Sequence, residues 1–211
     1  MLEFIIYTIL NNKPMNYKLL KACDFSAQKH KNQRRKDNNK TPYINHPIDV
    51  ACRLASCGVE DTDVLISALL HDTIEDTNTT TEEILENFGQ NVLDIVLECT
   101  DNKSLPKIDR KKYQISHSAY ISDNAKLVKL SDKYSNLSDL LKNPPVSWTS
   151  EEKEGYGLWC FAVFKNIRGV NKKMDSDFED LINYSGILHN KNLDNLDEYL
   201  EQYYKSIDKS E

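Results

Sequence analysis

The run HDTIED carries His71, Asp72, Glu75 and Asp76 at the end of an apolar stretch containing Val64, Leu65, Ala68 and Leu69. On a helix, His71 and Glu75 stand at i and i+4, as do Asp72 and Asp76, so four ionisable groups crowd one end of a largely buried segment. Three carboxylates placed there repel one another and resist desolvation. A divalent cation removes that conflict, and imidazole with carboxylates is a mixed N/O set suited to Mn²⁺, Fe²⁺ or Zn²⁺. A solvated acidic helix end would explain the same residues, and so short a motif recurs by chance. Two further runs bear on the choice. NHP at 45–47 places His46 at a helix start, and KLSDK at 129–133 places Asp132 within an apolar stretch (Leu127, Val128, Leu130). An Asp in such a setting is rarely tolerated unless it is paired or bound to metal.

The elements that must hold these residues read as helices. Leu19, Leu20, Cys23 and Ala27 share one face of a helix over 16–32. Residues 33–46 form a polar loop carrying Arg34, Arg35 and Lys36. Pro47 suits the first turn of the next helix, which Gly58 can close. Asp61 or Thr62 can cap a third helix that runs on into HDTIED. Thr80 and Glu83 have capping-box spacing, with Gly89 to end that helix. Further helices are expected at 91–100, 107–116, 123–142, 150–173, 175–184 and 193–206. No alternating apolar pattern is long enough for a sheet strand, so the predicted architecture is an all-α bundle of eight or more helices. We divide the chain into an N-terminal extension at 1–15, a main domain at 16–180 and a C-terminal helical tail at 181–211. The opening MLEFIIYTIL makes a poor signal peptide, because Glu3 stands where positive charge belongs and no A-x-A site follows.

Composition narrows the function classes. The 211 residues are 39% hydrophobic and 28% charged, enough apolar mass for one sizeable core. With 27 Lys+Arg against 33 Asp+Glu the net charge is −6, which argues against coating nucleic acid but leaves room for a local basic pocket. The five cysteines are odd in number and lack a C-x-x-C, so free thiols, buried in a reducing cytoplasm, are expected. No stretch approaches the roughly 18 apolar residues of a membrane span.

The order His … His-Asp … Asp is the ligand signature of the HD superfamily of metal-dependent phosphohydrolases. The runs ACDFSAQKHKNQRRKD (22–37), TPYINHPIDVA (41–51), ALLHDTIEDT (68–77), FGQNV (88–92), LPKIDRKK (105–112) and AKLVKLSDKYSNLSDL (125–140) resemble, in this order, the small alarmone hydrolases. These are stand-alone relatives of the RelA/SpoT hydrolase domain, and the likeness spans roughly residues 17–175. It implies an HD-domain helical bundle binding one Mn²⁺ through His46, His71, Asp72 and Asp132. It gives Glu75 and Asp76 the role of orienting and activating the attacking water. Arg35 and Lys36 would supply cations to the substrate, Lys107 matches a phosphate-side lysine, and Asn136 and Tyr156 match residues lining the nucleotide pocket.

The implied reaction is removal of the 3′-pyrophosphate of guanosine 3′,5′-bis(diphosphate) (ppGpp), giving GDP and pyrophosphate. Animal members also act as NADPH 2′-phosphatases, which is the alternative reading, and a catalytically weak nucleotide-binding regulatory module is a third. No synthetase, TGS-like or ACT-like segment resembles those of the long enzymes, so hydrolysis alone is expected, in a monomer or weak homodimer. Two departures stand out. Tyr156 lies between Gly155 and Gly157, which predicts a loose helix there. Glu152 occupies a position that is basic in animal members, with Lys153 as a substitute.

Overall fold

Helices follow the apolar spacing along the chain. The computed structural model describes residues 14–208, so the expected N-terminal extension lies outside the described residues except for Pro14 and Met15. The helices are α1 (Met15–Lys29), α2 (Asn45–Ser56), α3 (Thr62–Leu70), the single turn α4 (Thr73–Asp76), α5 (Thr81–Phe88), α6 (Gln90–Cys99), α7 (Lys107–His117), α8 (Asp123–Lys142), α9 (Ser150–Ile167) and α10 (Lys172–Tyr184), and a 3₁₀ turn at Leu193–Asn195 leads into α11 (Leu196–Asp208). Among the described residues the one β pairing is an isolated bridge between Arg34 and Pro42. The protein is all-α, as the sequence predicts.

Helix ends are set by local chemistry. Asp61 caps α3 by accepting from the backbone N–H groups of Asp63 and Val64. Thr80 and Glu83 form the expected capping box, and Gly89 closes α5 at φ 88°. Two elements differ from expectation. The helix from Thr62 does not run through HDTIED: it ends at Leu70, and His71 and Asp72 form the corner before α4. The stretch 150–173 also breaks, at Arg168, because Gly169 takes φ 99° and Asn171 then caps α10 through the N–H groups of Lys173 and Met174.

Two helices organise the core. Every residue of α3 from Val64 to Leu70 is buried, and α3 packs on α1, α2, α6 and α8. The 20-residue α8 packs on α2, α3, α6, α9 and α10. A helix hemmed in on so many sides has little contact with solvent, so its buried polar residues Lys129, Asp132, Lys133 and Ser135 carry a desolvation cost that partners must offset.

The loose helix expected around Tyr156 is not found. α9 is continuous over 18 residues, and the glycines serve close packing instead. A Cβ on Gly155 would lie 2.3 Å from Cδ2 and 2.7 Å from Cβ of Tyr203, and one on Gly157 would lie 2.3 Å from Cδ1 of Ile187. α11 seats itself on α9 through this relief, burying Leu196, Leu200, Tyr203, Tyr204 and Ile207 in the main core.

These contacts order two substitutions. In Gly155→Ala the new methyl meets the root of a buried aromatic side chain, which cannot swing away, whereas in Gly157→Ala it meets only the flexible end of Ile187. Gly155→Ala should lose about 1–3 kcal/mol of stability, the usual range for overpacking, and Gly157→Ala less. Urea unfolding of both variants checks the order; equal losses would show that α11 yields freely.

Candidate metal centre

α2, α3 and α8 deliver the four expected ligands to one place. His46 is the second residue of α2, His71 follows the last residue of α3, Asp72 precedes α4, and Asp132 lies halfway along α8. His46 Nε2 is 3.1 Å from Asp132 Oδ1 and 3.7 Å from Asp72 Oδ2. His71 Nε2 is 3.1 Å from Asp72 Oδ2 and 3.7 Å from Asp132 Oδ1. Ligands held about 2.1 Å from one ion at octahedral to tetrahedral angles stand about 3.0–3.4 Å apart, so the set has nearly the spacing of a coordination shell.

Hydrogen bonds on the far side of each ring fix its tautomer. His71 Nδ1 is 2.8 Å from the Ala68 carbonyl oxygen, which can only accept, so Nδ1 carries the proton. Ser135 Oγ donates to Asp49 Oδ2 at 2.6 Å and thereby accepts from His46 Nδ1 at 3.2 Å. Each ring then turns an Nε2 lone pair toward carboxylate oxygens, and His71 Nε2 is buried without a hydrogen-bond partner. Lone pairs facing anions require a cation between them, and imidazoles oriented by a second hydrogen bond are the usual metal-ligating form. The residues present fit a divalent metal.

Without a metal, a proton fills that need. Burial disfavours charge on His71, but Asp72 and Asp132 outweigh it and hold the imidazolium well above its ordinary range. Burial likewise opposes ionisation of the two carboxylates. His71 nonetheless holds Asp72 below the usual carboxylate range, and Lys133, with Nζ 2.8 Å from Asp132 Oδ2, does the same for Asp132.

The acidic pair stands apart from the four. Glu75 accepts from the Asp101 backbone N–H at 3.0 Å. Burial, with the Asp101, Asp72 and Asp76 carboxylates nearby, pushes its carboxyl up to about 7. Asp76 accepts from Gln33 Nε2 at 2.9 Å and pairs with Lys103.

Two cavities meet at this cluster. The smaller, about 220 Å³, is lined by His71, Asp72, Asp132 and Glu75 together with Lys111, Lys129 and Lys133. The larger, about 1020 Å³, is lined by His46, Asp76, Arg34, Arg35, Lys36, Tyr134 and Trp148. Tyr43, Asn136 and Tyr156 line both. Arg35 bridges its loop to α8, donating to Asn136 Oδ1 at 3.0 Å and Asp139 Oδ2 at 2.8 Å. Lys36 is exposed on the rim. Lys107, named from the sequence, opens α7 and lines neither cavity; Lys111, one turn later, lines the smaller one.

Sequence reasoning missed Lys111, Lys129 and Lys133. The last two lie at i and i+4 in KLSDK, on the same face as Asp132, a spacing that could have revealed them. Lys111 sits in a run of basic residues with nothing in the sequence to single it out.

An all-helical bundle with a His, His-Asp, Asp cluster at its centre defines the HD class of hydrolase, and a family model described as HD domain matches residues 22–170. The chain belongs to the HD-domain family. Within it the chain is similar to the guanosine-3′,5′-bis(diphosphate) 3′-pyrophosphohydrolases MESH1 of Xenopus tropicalis and Homo sapiens. The Xenopus protein is 49% identical over 170 residues, 80% of this chain and 95% of the relative. The human protein is 45% identical over 170 residues, with the same coverage. A solved structure of a metazoan orthologue of SpoT that hydrolyses ppGpp superposes with a TM-score of 0.79 at 41% identity, covering 81% of this chain and 97% of the other.

The burial of Glu75 makes a stability prediction. Its folded pKa, about 7, lies above the ordinary value of 4.5, so the carboxyl contributes fully below about pH 4.5 and that contribution is lost as pH rises through 7. Metal-free Glu75→Gln should exceed the wild type by about 2–3 kcal/mol at pH 8, the gap closing toward pH 4.5. Denaturant titrations at the two pH values test it; a gap independent of pH would mean that Glu75 ionises freely.

Proposed function

We propose that the chain removes the 3′-pyrophosphate of ppGpp with Mn²⁺ as its metal, held by His46, His71, Asp72 and Asp132. The observation that carries this reading is the position of the cluster at the junction of a wide groove and a small lysine-lined cavity. A nucleoside with a phosphate chain matches that pair of spaces: base and sugar in the groove, phosphate beside the lysines.

A divalent ion bound there supplies charge neutralisation for phosphate oxygens and lowers the pKa of water toward neutrality. The chain's own groups do the rest. Glu75, poised near neutral pH, takes the proton of the attacking water. Asp76, held by Gln33 and Lys103, orients the water from the groove side. Lys111, Lys129 and Lys133 offset charge on the spectator oxygens, as in other phosphoryl transfers. Arg35, anchored by Asp139 and Asn136, presents its guanidinium to the nucleotide, with Lys36 at the rim, Lys111 in place of Lys107 on the phosphate side and Tyr156 as a shared wall.

ppGpp is favoured over NADPH because the relatives at 45–49% identity are named for that reaction; Glu152 turns its carboxylate back to accept from the Thr149 N–H at 2.7 Å and lines neither cavity. The reading includes a cytoplasmic location, supported by five cysteines that are all free. Of these Cys57 and Cys160 are buried and Cys52 is exposed, so packing does not account for every thiol.

Purified protein with Mn²⁺ should release pyrophosphate from ppGpp. Orthophosphate from NADPH in the parallel assay, with ppGpp untouched, would replace the substrate, and turnover of neither would leave a binding module. Glu75→Gln should keep its metal and lose roughly 10²–10⁴-fold in kcat, the range for a positioned acid–base group; calorimetry with Mn²⁺ beside the kinetics separates the two effects. Arg35→Ala should lower kcat/KM about 10–150-fold, as expected for a charge-assisted phosphate contact. Unchanged kcat/KM would reduce the loop to a connector.

A further inference from the structure

Among the described residues, Lys111 is the one lysine of the small cavity whose ammonium has no polar partner. Lys133 pairs with Asp132, and Lys129 Nζ is 3.4 Å from the Cys99 carbonyl oxygen. The Lys111 ammonium makes no hydrogen bond or ion pair with the described residues and is surrounded by rings instead. Its Nζ lies 3.6 Å from the Trp159 ring centroid, 4.9 Å from that of Tyr156 and 5.2 Å from that of Tyr203. Burial pushes Lys111 down to about 7, so a phosphate beside it favours the charged form, which ring faces hold electrostatically while its N–H donors stay available to a ligand. Two of these rings belong to α9, inside residues 22–170 matched by the HD-domain model; Tyr203 belongs to α11, beyond them. Tyr203 is buried, and it reaches the cage only because Gly155 has no side chain.

We propose that Tyr203 of the C-terminal helix is a positioning residue for the active site: it closes the aromatic cage that aims the Lys111 ammonium into the cavity beside the metal cluster. This rests on the reading of that cavity as the phosphate side of a nucleotide site. α11 is therefore part of the substrate-binding apparatus and not only a brace on α9. Removal of the ring lets Nζ leave the cavity, so affinity for the phosphate-bearing substrate falls while the metal ligands, on other helices, are undisturbed.

The test compares Tyr203→Leu with Tyr204→Leu in the full-length, Mn²⁺-loaded protein. Tyr204 is equally buried on the same helix but stands 4.9 Å from Lys112, not near Lys111. Two readouts are taken: KM and kcat for ppGpp, and the rate at which acetic anhydride modifies Lys111, followed by mass spectrometry and independent of turnover. Tyr203→Leu should raise KM about 2- to 30-fold, the span of a cation–ring contact, with little change in kcat. It should also change the rate of Lys111 acetylation, through access and through the free-amine fraction, whereas Tyr204→Leu does neither. Tyr203→Phe keeps the ring and should behave as wild type. In a Lys111→Met background Tyr203→Leu should add nothing to KM, because the two residues act through one contact. If Tyr203→Leu fails to fold, Tyr203→Met retains volume without a ring. The proposal is overturned if the Tyr203 and Tyr204 variants match in KM and acetylation, or if acetylation changes while KM does not. If wild type turns over no ppGpp but Lys111 acetylation still responds to Tyr203 alone, the cage stands and the substrate reading falls.

Discussion

Two imidazole lone pairs and two carboxylates share a buried space in which neighbouring donor atoms are 3.1–3.7 Å apart. Nothing in that set is positive unless a proton or a metal enters it. The Ala68 carbonyl and the Ser135 hydroxyl hold the rings with their lone pairs inward, so the fold enforces the arrangement. The hydrophobic core surrounds a site that demands a cation, and Asp132 reaches it from α8 while His71 reaches it from the end of the fully buried run of α3.

That demand explains the composition of α8. A buried helix rich in Leu, Val and Ala would be more stable without Lys129, Asp132, Lys133 and Ser135. The polar residues of this face hold one another in place. Lys133 steadies Asp132, Ser135 orients His46, and Asn136 ties Asp132 to Arg35. Through Asn136 the metal cluster and the basic loop are mechanically one unit, although the loop and α8 are about a hundred residues apart in sequence. The candidate metal ligands and the basic loop are thus tied through a single helix face.

The protein's overall charge of −6 coexists with a local concentration of lysines. Three lysines converge on one small cavity, where burial pushes Lys111 down to about 7 while Asp132 holds Lys133 in its charged form. Glu75, close by, has its carboxyl pushed up to about 7 by burial and by neighbouring acids, which suits it to accept a proton near neutral pH. The same desolvation that raises the Glu75 carboxyl lowers the Lys111 amine, bringing both near neutrality.

The sequence by itself determined the class of fold and named the four side chains that the structure clusters as a candidate metal centre. Periodicity of 3.6 residues is a local property, legible in Leu19–Ala27 or in 62–70 without knowledge of what packs where, and an Asp inside an apolar helix betrays a site because burying it unpaired is too costly. Resemblance of ordered motifs then tied His46, His71, Asp72 and Asp132 together across 87 positions of chain. What only the tertiary structure decided was everything that depends on a neighbour distant in sequence. Gly155 and Gly157 read locally as loosening their helix and proved to be seats for Tyr203 and Ile187. Lys111 had no local mark, because its meaning comes from three rings, two on α9 and one on α11. HDTIED looked like one helix and became a corner, which sets His71 and Asp72 beside Asp132 of α8. Local propensity acts between residues a few positions apart; a site is made by the packing of elements whose contacts no local pattern records.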